Sequence, residues 1–470
     1  MTLLFDPEVT AADLRGKRTT IIGLGKGRTT AGLARFLVSA GARVTIADPQ
    51  TRDHLAEGIG RLGDLDVQLV LGPSSDDAAL DDPDLVFVIP GIRPRSATIL
   101  RAMQRGIPIL TEMGLFFRLC PAPIIGVTGT KGKSTTMTLI SRMLARGPRR
   151  VVSGGNIGTA VIQLLPSLVP DDLVVLELSS FQLETLARSP HVAVVTNALE
   201  DHLDHHGSRD AYHAAKSNIV RWQGAHDIAV LNLDDPNTLA LHTGASSEVR
   251  GFSLSLKVKR GAYLDPGGML TMVRPGGVAA ILDKRELSVP GAHNVSNALA
   301  AAIVADEYGI PATDIADVLR SFEGLPHRLE RVAERGGVLW INDSQGTTPY
   351  ATIPALSAHG RTPVVILGGV AKGADFRELG REVAKQARAA ILIGQAADDI
   401  AAAIEAGRTD PARPAVNRAA TLAEAVRIAD SAAQPGDVVL LSPACASFDM
   451  FSSYEARGDA FKRLVAELGR

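Results

Sequence analysis

Short β-rich runs alternate with helix-length segments along all 470 residues, and glycine-rich turns directly follow two of those runs. Together with a length beyond one ordinary domain, this predicts an α/β protein of three domains. The expected boundaries are 1–113 for an N-terminal Rossmann-like parallel sheet, 114–324 for a central phosphate-loop (P-loop) mixed sheet, and 325–470 for a C-terminal Rossmann-like α/β unit.

In the first domain, Thr19-Thr20-Ile21-Ile22 reads as a strand, Gly23 to Gly27 as a turn and Thr29 to Ser39 as a helix. Arg43 to Ala47 gives a second strand ending at Asp48. A glycine turn followed some 20 residues later by a strand-end acid resembles a dinucleotide-binding fingerprint. Asp48 is therefore a candidate contact to a nucleotide or its ribose, with a simple turn cap as the competing reading.

The second domain holds the most informative stretch, GTKGKST at 129–135. It follows the apolar run Ile124-Ile125-Gly126-Val127 and precedes a helical pattern beginning Met137-Thr138-Leu139-Ile140. A glycine-rich turn between a strand and a helix N-terminus points backbone N–H groups at phosphate. Gly129, Thr130, Lys131 and Gly132 form such a cradle, Lys133 reaches for outer phosphates, and Ser134 or Thr135 supplies a hydroxyl for Mg²⁺. Val127 stands where the first glycine of the usual spacing belongs, so the loop is a variant. Nucleoside triphosphate binding follows. Further strands are expected at Leu173 to Leu176, Val192 to Thr196 and Ile228 to Leu233, antiparallel hairpins over Gly251 to Val289, and a helix from Asn294 to Tyr308.

Two strand ends carry chemistry. Glu177 closes Leu173-Val174-Val175-Leu176, where a carboxylate beside a phosphate loop suits a metal. The segment Glu200-Asp201-His202-Leu203-Asp204-His205-His206 packs three carboxylates and three histidines into seven residues after another strand. Such a set holds a metal or orients phosphate, with zinc disfavoured because no cysteine contributes and no histidine pair has helical i, i+4 spacing. Lys216, on a short amphipathic helix, reads from spacing alone as a surface lysine. In the third domain, strands are expected at Val338 to Asn342, Pro363 to Leu367, Ala390 to Ile393 and Asp437 to Leu441. Arg328 lies just after a linker, positioned to stabilise charge on a transferring phosphoryl group. Leu440 to Asp449 is a small-residue loop that permits close ligand approach.

Composition narrows the class. The 49 basic residues nearly balance the 51 acidic ones, which gives no electrostatic case for nucleic acid or membrane surfaces. No apolar run approaches the roughly 18 residues of a spanning helix. Asp6 and Glu8 near the start argue against a secretory signal. Two cysteines, Cys120 and Cys445, make neither a disulfide framework nor a metal site. A cytoplasmic monomer is expected.

Taken in order, the motifs resemble the ATP-dependent Mur ligases, and within them the glutamate-adding branch. The carriers are GTKGKST at 129–135, GGNIG at 154–158, LELSSFQLE at 176–184, EDHLDHH at 200–206 and YHAAK at 212–216, continuing with HNVSN at 293–297, GLPHRLE at 324–330, NDS at 342–344, KGADF at 372–376 and LLSPACASFDMF at 440–451. Nearly the whole chain is covered.

The resemblance implies a substrate pair of UDP-N-acetylmuramoyl-L-alanine and D-glutamate, with ATP and Mg²⁺. ATP phosphorylates the muramoyl-alanine carboxylate, and the amino group of glutamate attacks the resulting acyl phosphate. The resemblance places Lys133 on the β- and γ-phosphates, with Ser134 and Glu177 on Mg²⁺. It makes His202 a ligand of a second magnesium and Lys216 the lysine that becomes a carbamate. It assigns Asn156 and Gln182 to the UDP-sugar, and Asn294, Asn297, Arg328 and Asp343 to the nucleotide. Lys372, Ser447 and Tyr454 are left for glutamate. Where such relatives read NDSKAT, this chain reads Asn342-Asp343-Ser344-Gln345-Gly346-Thr347, so Gln345 removes one positive charge. That change motivates a rival in which L-glutamate or another amino acid is added. The first glycine loop, Gly23 to Gly32, is about two residues longer than in those relatives. A nicotinamide-dependent dehydrogenase, suggested by Gly23, Gly25 and Asp48, and a nucleotide switch without ligase chemistry are the rivals outside the class.

Overall fold

A computed structural model describes residues 7–25, 27–155, 160–199, 203–242, 246–289, 291–371, 373–410 and 413–468. The chain forms two compact units, Met1–Phe322 and Glu323–Arg470. The first unit carries two sheets.

Strands β1 (Arg18–Ile22), β2 (Arg43–Asp48), β3 (Val67–Leu71), β4 (Leu85–Val88) and β5 (Ile109–Leu110) make an all-parallel sheet ordered β3-β2-β1-β4-β5. Ile21, Ile46, Val86 and Phe87 are fully buried, as strands covered on both faces require. Strand order reverses beside β1, so the glycine turn after it opens at the topological switch point.

The second sheet has nine strands: β6 (Ile124–Thr128), β7 (Val151–Gly155), β8 (Leu173–Glu177), β9 (Val192–Val195), β10 (Ile228–Asn232), β11 (Glu248–Ser253), β12 (Gly261–Leu264), β13 (Met269–Arg274) and β14 (Gly277–Asp283). Their order is β14-β13-β12-β11-β10-β9-β6-β8-β7, parallel except at the β12-β13 and β13-β14 pairs. The hairpins expected over Gly251 to Val289 therefore begin only at β12. Gly251 and Gly261 lie within paired parallel strands, because a Cβ on Gly261 would sit 2.0 Å from the Gly251 carbonyl oxygen. Glycine here marks close strand approach, not a turn.

A continuous aliphatic core joins elements of the two sheets, including Ile21, Leu24, Phe116, Val161, Val174 and Leu176. The buried Glu112 accepts a hydrogen bond from the N–H of Ile162, a member of this core, at 3.0 Å.

The second unit has one sheet: β15 (Glu330–Arg335), β16 (Val338–Asn342), β17 (Pro363–Gly368), β18 (Ala389–Ile393), β19 (Ala415–Arg418) and β20 (Val438–Leu441), ordered β15-β16-β20-β17-β18-β19. The pair β15-β16 is antiparallel, while the others run parallel. Apolar clusters cover both faces, one around Ile341, Val365 and Leu392, the other around Trp340, Ile366 and Phe461. Fold class and mixed sheets agree with the sequence expectation. Among the described residues no helix is long and apolar enough to cross a membrane.

Candidate active site

The loop Gly129–Gly132 joins the C-terminal end of β6 to the helix Lys133–Leu144. Two of its glycines are obligatory. Gly129 has φ +156°, and a Cβ there would lie 1.9 Å from Thr196 Oγ1. Gly132 caps the helix in the left-handed region at φ +86°, and its Cβ would fall 2.5 Å from Asn297 Oδ1. The loop is held from outside by Asn197, whose Oδ1 accepts from the N–H groups of Thr130 at 2.9 Å and Lys131 at 3.0 Å. Thr196 Oγ1 donates to the Lys131 carbonyl at 2.6 Å, and the Thr130 hydroxyl lies 2.9 Å from the Tyr212 hydroxyl. Lys133 folds over this loop, its ammonium donating to the carbonyls of Gly129 at 2.8 Å and Thr130 at 3.1 Å. Thr135 is half-buried.

Ser134 and Glu177 meet at the loop's mouth. Ser134 Oγ donates to Glu177 Oε2 at 2.6 Å, and both residues are buried. Their strands explain the meeting, since β6 and β8 are parallel neighbours with Val127 level with Glu177. Lys216 lies against Thr128 at the C-terminal end of β6 and is not a surface lysine. It is 1% exposed, on the helix Arg209–Arg221, with Nζ donating to Thr128 Oγ1 at 3.4 Å and lying 5.0 Å from the Tyr212 ring centroid. Spacing misjudged it because the inward face of that helix carries Tyr212, Lys216 and Ile219, an apolar stripe with one amine.

The structure brings Asn297 onto the phosphate loop through Gly132, and half-buried Asn294 onto a small hollow with Thr135, Leu139 and Leu287. Gln182 serves the capping box of the short helix Ser180–Leu183, its Oε1 accepting from the Ser179 N–H at 2.9 Å. Asp48 spends both carboxylate oxygens on backbone. Oδ2 accepts from the N–H groups of Leu24 at 2.8 Å and Gly25 at 3.3 Å, and Oδ1 from Gln50 at 2.9 Å. This is the turn-capping arrangement. Asn156, His202 and Lys372 lie outside the described residues.

In the second unit Arg328 sits between two residues of positive φ, His327 at +63° and Leu329 at +45°. Such backbone costs of order 1–3 kcal/mol per residue and persists only where its surroundings over-determine it. Here the His327 N–H donates to Glu330 at 2.9 Å, and the His327 carbonyl accepts from the Gln345 N–H at 3.0 Å. The Leu329 N–H donates to Asp343 Oδ1 at 3.1 Å. Asp343 also accepts from Ser442 Oγ at 2.7 Å. Burial pushes its carboxyl up to about 6, against the opposing pull of the Ser442 and Leu329 hydrogen bonds and of Arg328. Ser447 is buried at the start of the turn to Met450 and Phe451, and Tyr454 begins the helix Tyr454–Glu467. Arg457 carries no motif that marks it in the sequence. It is 1% exposed and donates to Ser344 Oγ, the Ser344 carbonyl and the Cys445 carbonyl at 2.9–3.2 Å.

A glycine loop at a parallel-strand end, with a lysine over it and a hydroxyl–carboxylate pair at its mouth, defines a nucleoside-triphosphate-dependent α/β enzyme. Comparison with known proteins narrows the class. The MurD-like N-terminal domain matches residues 17–111, the Mur ligase middle domain 127–305, and the Mur ligase glutamate ligase domain 327–445. A UDP-N-acetylmuramoylalanine–D-glutamate ligase from Pelotomaculum thermopropionicum is 42% identical over 96% of this chain and 98% of its own. Its namesake from Nitrosococcus oceani is 39% identical over 96% and 97%. Among solved structures, the UDP-N-acetylmuramate-alanine ligase MurC from Thermotoga maritima superposes with a TM-score of 0.55 at 20% identity, covering 96% of this chain and 99% of that one. MurF from Acinetobacter baumannii gives 0.56 at 19%, covering 95% and 93%. The chain belongs to the Mur ligase family of ATP-dependent ligases.

Proposed function

We propose that this enzyme joins D-glutamate to UDP-N-acetylmuramoyl-L-alanine in the cytoplasm, as a monomer, in the synthesis of peptidoglycan precursor. The reading rests on the names of its relatives at 38–42% identity over nearly the full chain, and on one geometric observation. That observation is the Ser134–Glu177 pair, 2.6 Å apart at the phosphate loop's mouth. Adjacent oxygen ligands of a six-coordinate ion with ~2.1 Å bonds stand about 3 Å apart, so this hydroxyl and carboxylate suit Mg²⁺. When bound, that ion neutralises phosphate charge.

The remaining roles belong to the chain's own residues. Backbone N–H groups at the start of the helix Lys133–Leu144 cradle the triphosphate, and Lys133 exchanges its loop carbonyls for β- and γ-phosphate oxygens. The substrate carboxylate oxygen attacks the γ-phosphorus, ADP leaves, and the acyl phosphate forms. The neutral amine of glutamate then adds to its carbonyl carbon, the nitrogen gives up a proton, and inorganic phosphate departs to leave the amide. Positioning and charge neutralisation carry such chemistry. Lys216 is assigned as the carbamate: its ammonium gives up one proton, the neutral amine nitrogen adds to carbon dioxide and loses a second, and the resulting carboxylate would, with His202, hold a second Mg²⁺. Asn156 and Gln182 are assigned to the UDP-sugar, Asn294, Asn297, Arg328 and Asp343 to the nucleotide, and Lys372, Ser447 and Tyr454 to glutamate, while Asp48 caps its turn. Domains of 1–113, 114–324 and 325–470 would divide these tasks.

Gln345 favours one second reading, addition of L-glutamate or another amino acid, because it lacks the lysine charge expected near a dianionic substrate. Phosphate release measured with UDP-N-acetylmuramoyl-L-alanine, ATP and a panel of amino acids separates the two. Turnover with D-glutamate alone supports the first reading, and turnover with only the L-form overturns it.

A further inference from the structure

We infer that Glu184, His205 and His206 form a second kind of metal site, one for a borderline divalent ion such as Zn²⁺, separate from the phosphate-loop oxygens. One ligand atom from each side chain lies within 4.8 Å of the others. Glu184 Oε2 is 3.0 Å from His205 Nε2, and Glu184 Oε1 is 3.9 Å from His206 Nδ1. Ligands around a tetrahedral ion with ~2.1 Å bonds stand about 3.4 Å apart, so small side-chain adjustments close the set. Two imidazoles and one carboxylate are a donor set for Zn²⁺, Co²⁺ or Fe²⁺, and a poor one for Mg²⁺, which prefers oxygen.

The surroundings support the same assignment. Ser180 Oγ lies 3.0 Å from His206 Nε2. With that hydroxyl accepting, the tautomer is fixed and the Nδ1 lone pair turns toward Glu184, the outer-sphere bond that metal-binding histidines ordinarily make. Both rings are wedged in place, Phe181 standing edge-on to His205 at 4.5 Å and His205 edge-on to His206 at 4.9 Å between centroids. His206 is fully enclosed, whereas Glu184 is 27% exposed on a groove of about 1070 Å³ that also bears Arg93, Arg95 and Arg221. An ion can therefore enter from the groove and keep an open position facing it. Glu184 directly follows the helix Ser180–Leu183, and the histidines end the helix Leu203–His206, so the ion would clip two neighbouring segments together.

The test uses untagged, metal-stripped full-length protein, titrated with Zn²⁺ in millimolar Mg²⁺ against a chromophoric chelator. One Zn²⁺ per chain is expected, with affinity falling about 100-fold in His205→Gln and in Glu184→Gln and unchanged in Ser134→Ala. Because His206→Ala can disturb folding, Co²⁺ substitution in the wild-type protein supplies an independent readout. Visible absorption of a tetrahedral or five-coordinate centre, lost in His205→Gln, supports the site. Equal Zn²⁺ affinity in wild type and His205→Gln, or loss of the bound ion in Ser134→Ala instead, overturns it.

Discussion

Replacing Gly132 with alanine perturbs the phosphate loop in two separable ways. The left-handed backbone, φ +86° and ψ −10°, costs an alanine roughly 1–2 kcal/mol. The new methyl also falls 2.5 Å from Asn297 Oδ1 and 3.3 Å from its Cγ, so the amide must swing away or the loop must shift, at about 1–3 kcal/mol. If the free protein relieves this strain by moving the loop, nucleotide binding must restore it. A cost of about 2–5 kcal/mol then appears in the Kd for MgATP, roughly a 30-fold loss or more at 1.4 kcal/mol per decade. Calorimetric titration of Gly132→Ala, Asn297→Ala and the double variant completes a cycle. The double variant is expected to lose less than the sum of the singles, because removing the amide removes the clash but not the φ penalty. Wild-type MgATP affinity in Gly132→Ala, or strict additivity across the cycle, would refute the reasoning.

Three further outcomes are expected. Lys216→Ala nearly abolishes product formation and is not rescued by bicarbonate; full activity in a phosphate-release assay would defeat the carbamate assignment. Burial holds the Glu112 carboxyl up at about 7, against hydrogen bonds from Ile162 and Val161. The folded state therefore keeps a proton that the unfolded chain releases near 4.5, and this stability, present at low pH, is lost as pH rises from about 4.5 to about 7. Denaturant unfolding should show Glu112→Gln gaining on the wild type across that window and levelling off above it; a constant difference would contradict the assignment. Arg457, lowered to about 10 by burial, stays charged at neutral pH. Arg457→Met strands the Ser344 and Cys445 carbonyls and should cost about 3 kcal/mol in thermal unfolding, with MgATP affinity unchanged.

Much of this was legible in the chain because strand, glycine turn and helix are local signals. The helix Lys133–Leu144 and the ends of β6 and β8 follow directly from apolar runs bounded by glycine and acid. Contacts set by tertiary packing were not. Lys216 looks exposed until its helix lies against Thr128, and Arg457 becomes a buried donor only when its helix brings it beside Ser344 and Cys445, more than 100 residues away in the case of Ser344. Glycine misled over Gly251 to Val289, since the same residue serves a turn and a close strand pair. Asn197, which grips the loop, had only its place after a strand to mark it. The pairing of Glu184 with two histidines some 20 residues on has no spacing rule behind it.

The most direct measurement is single-turnover transfer from γ-³²P-labelled ATP, with UDP-N-acetylmuramoyl-L-alanine present and amino acid withheld, in wild type and Lys133→Ala. Acid-labile label on the UDP-sugar in the wild type, discharged as inorganic phosphate when D-glutamate is added and missing in Lys133→Ala, is the predicted result. Amide formation without any labelled intermediate, or undiminished labelling in the Lys133 variant, would contradict it.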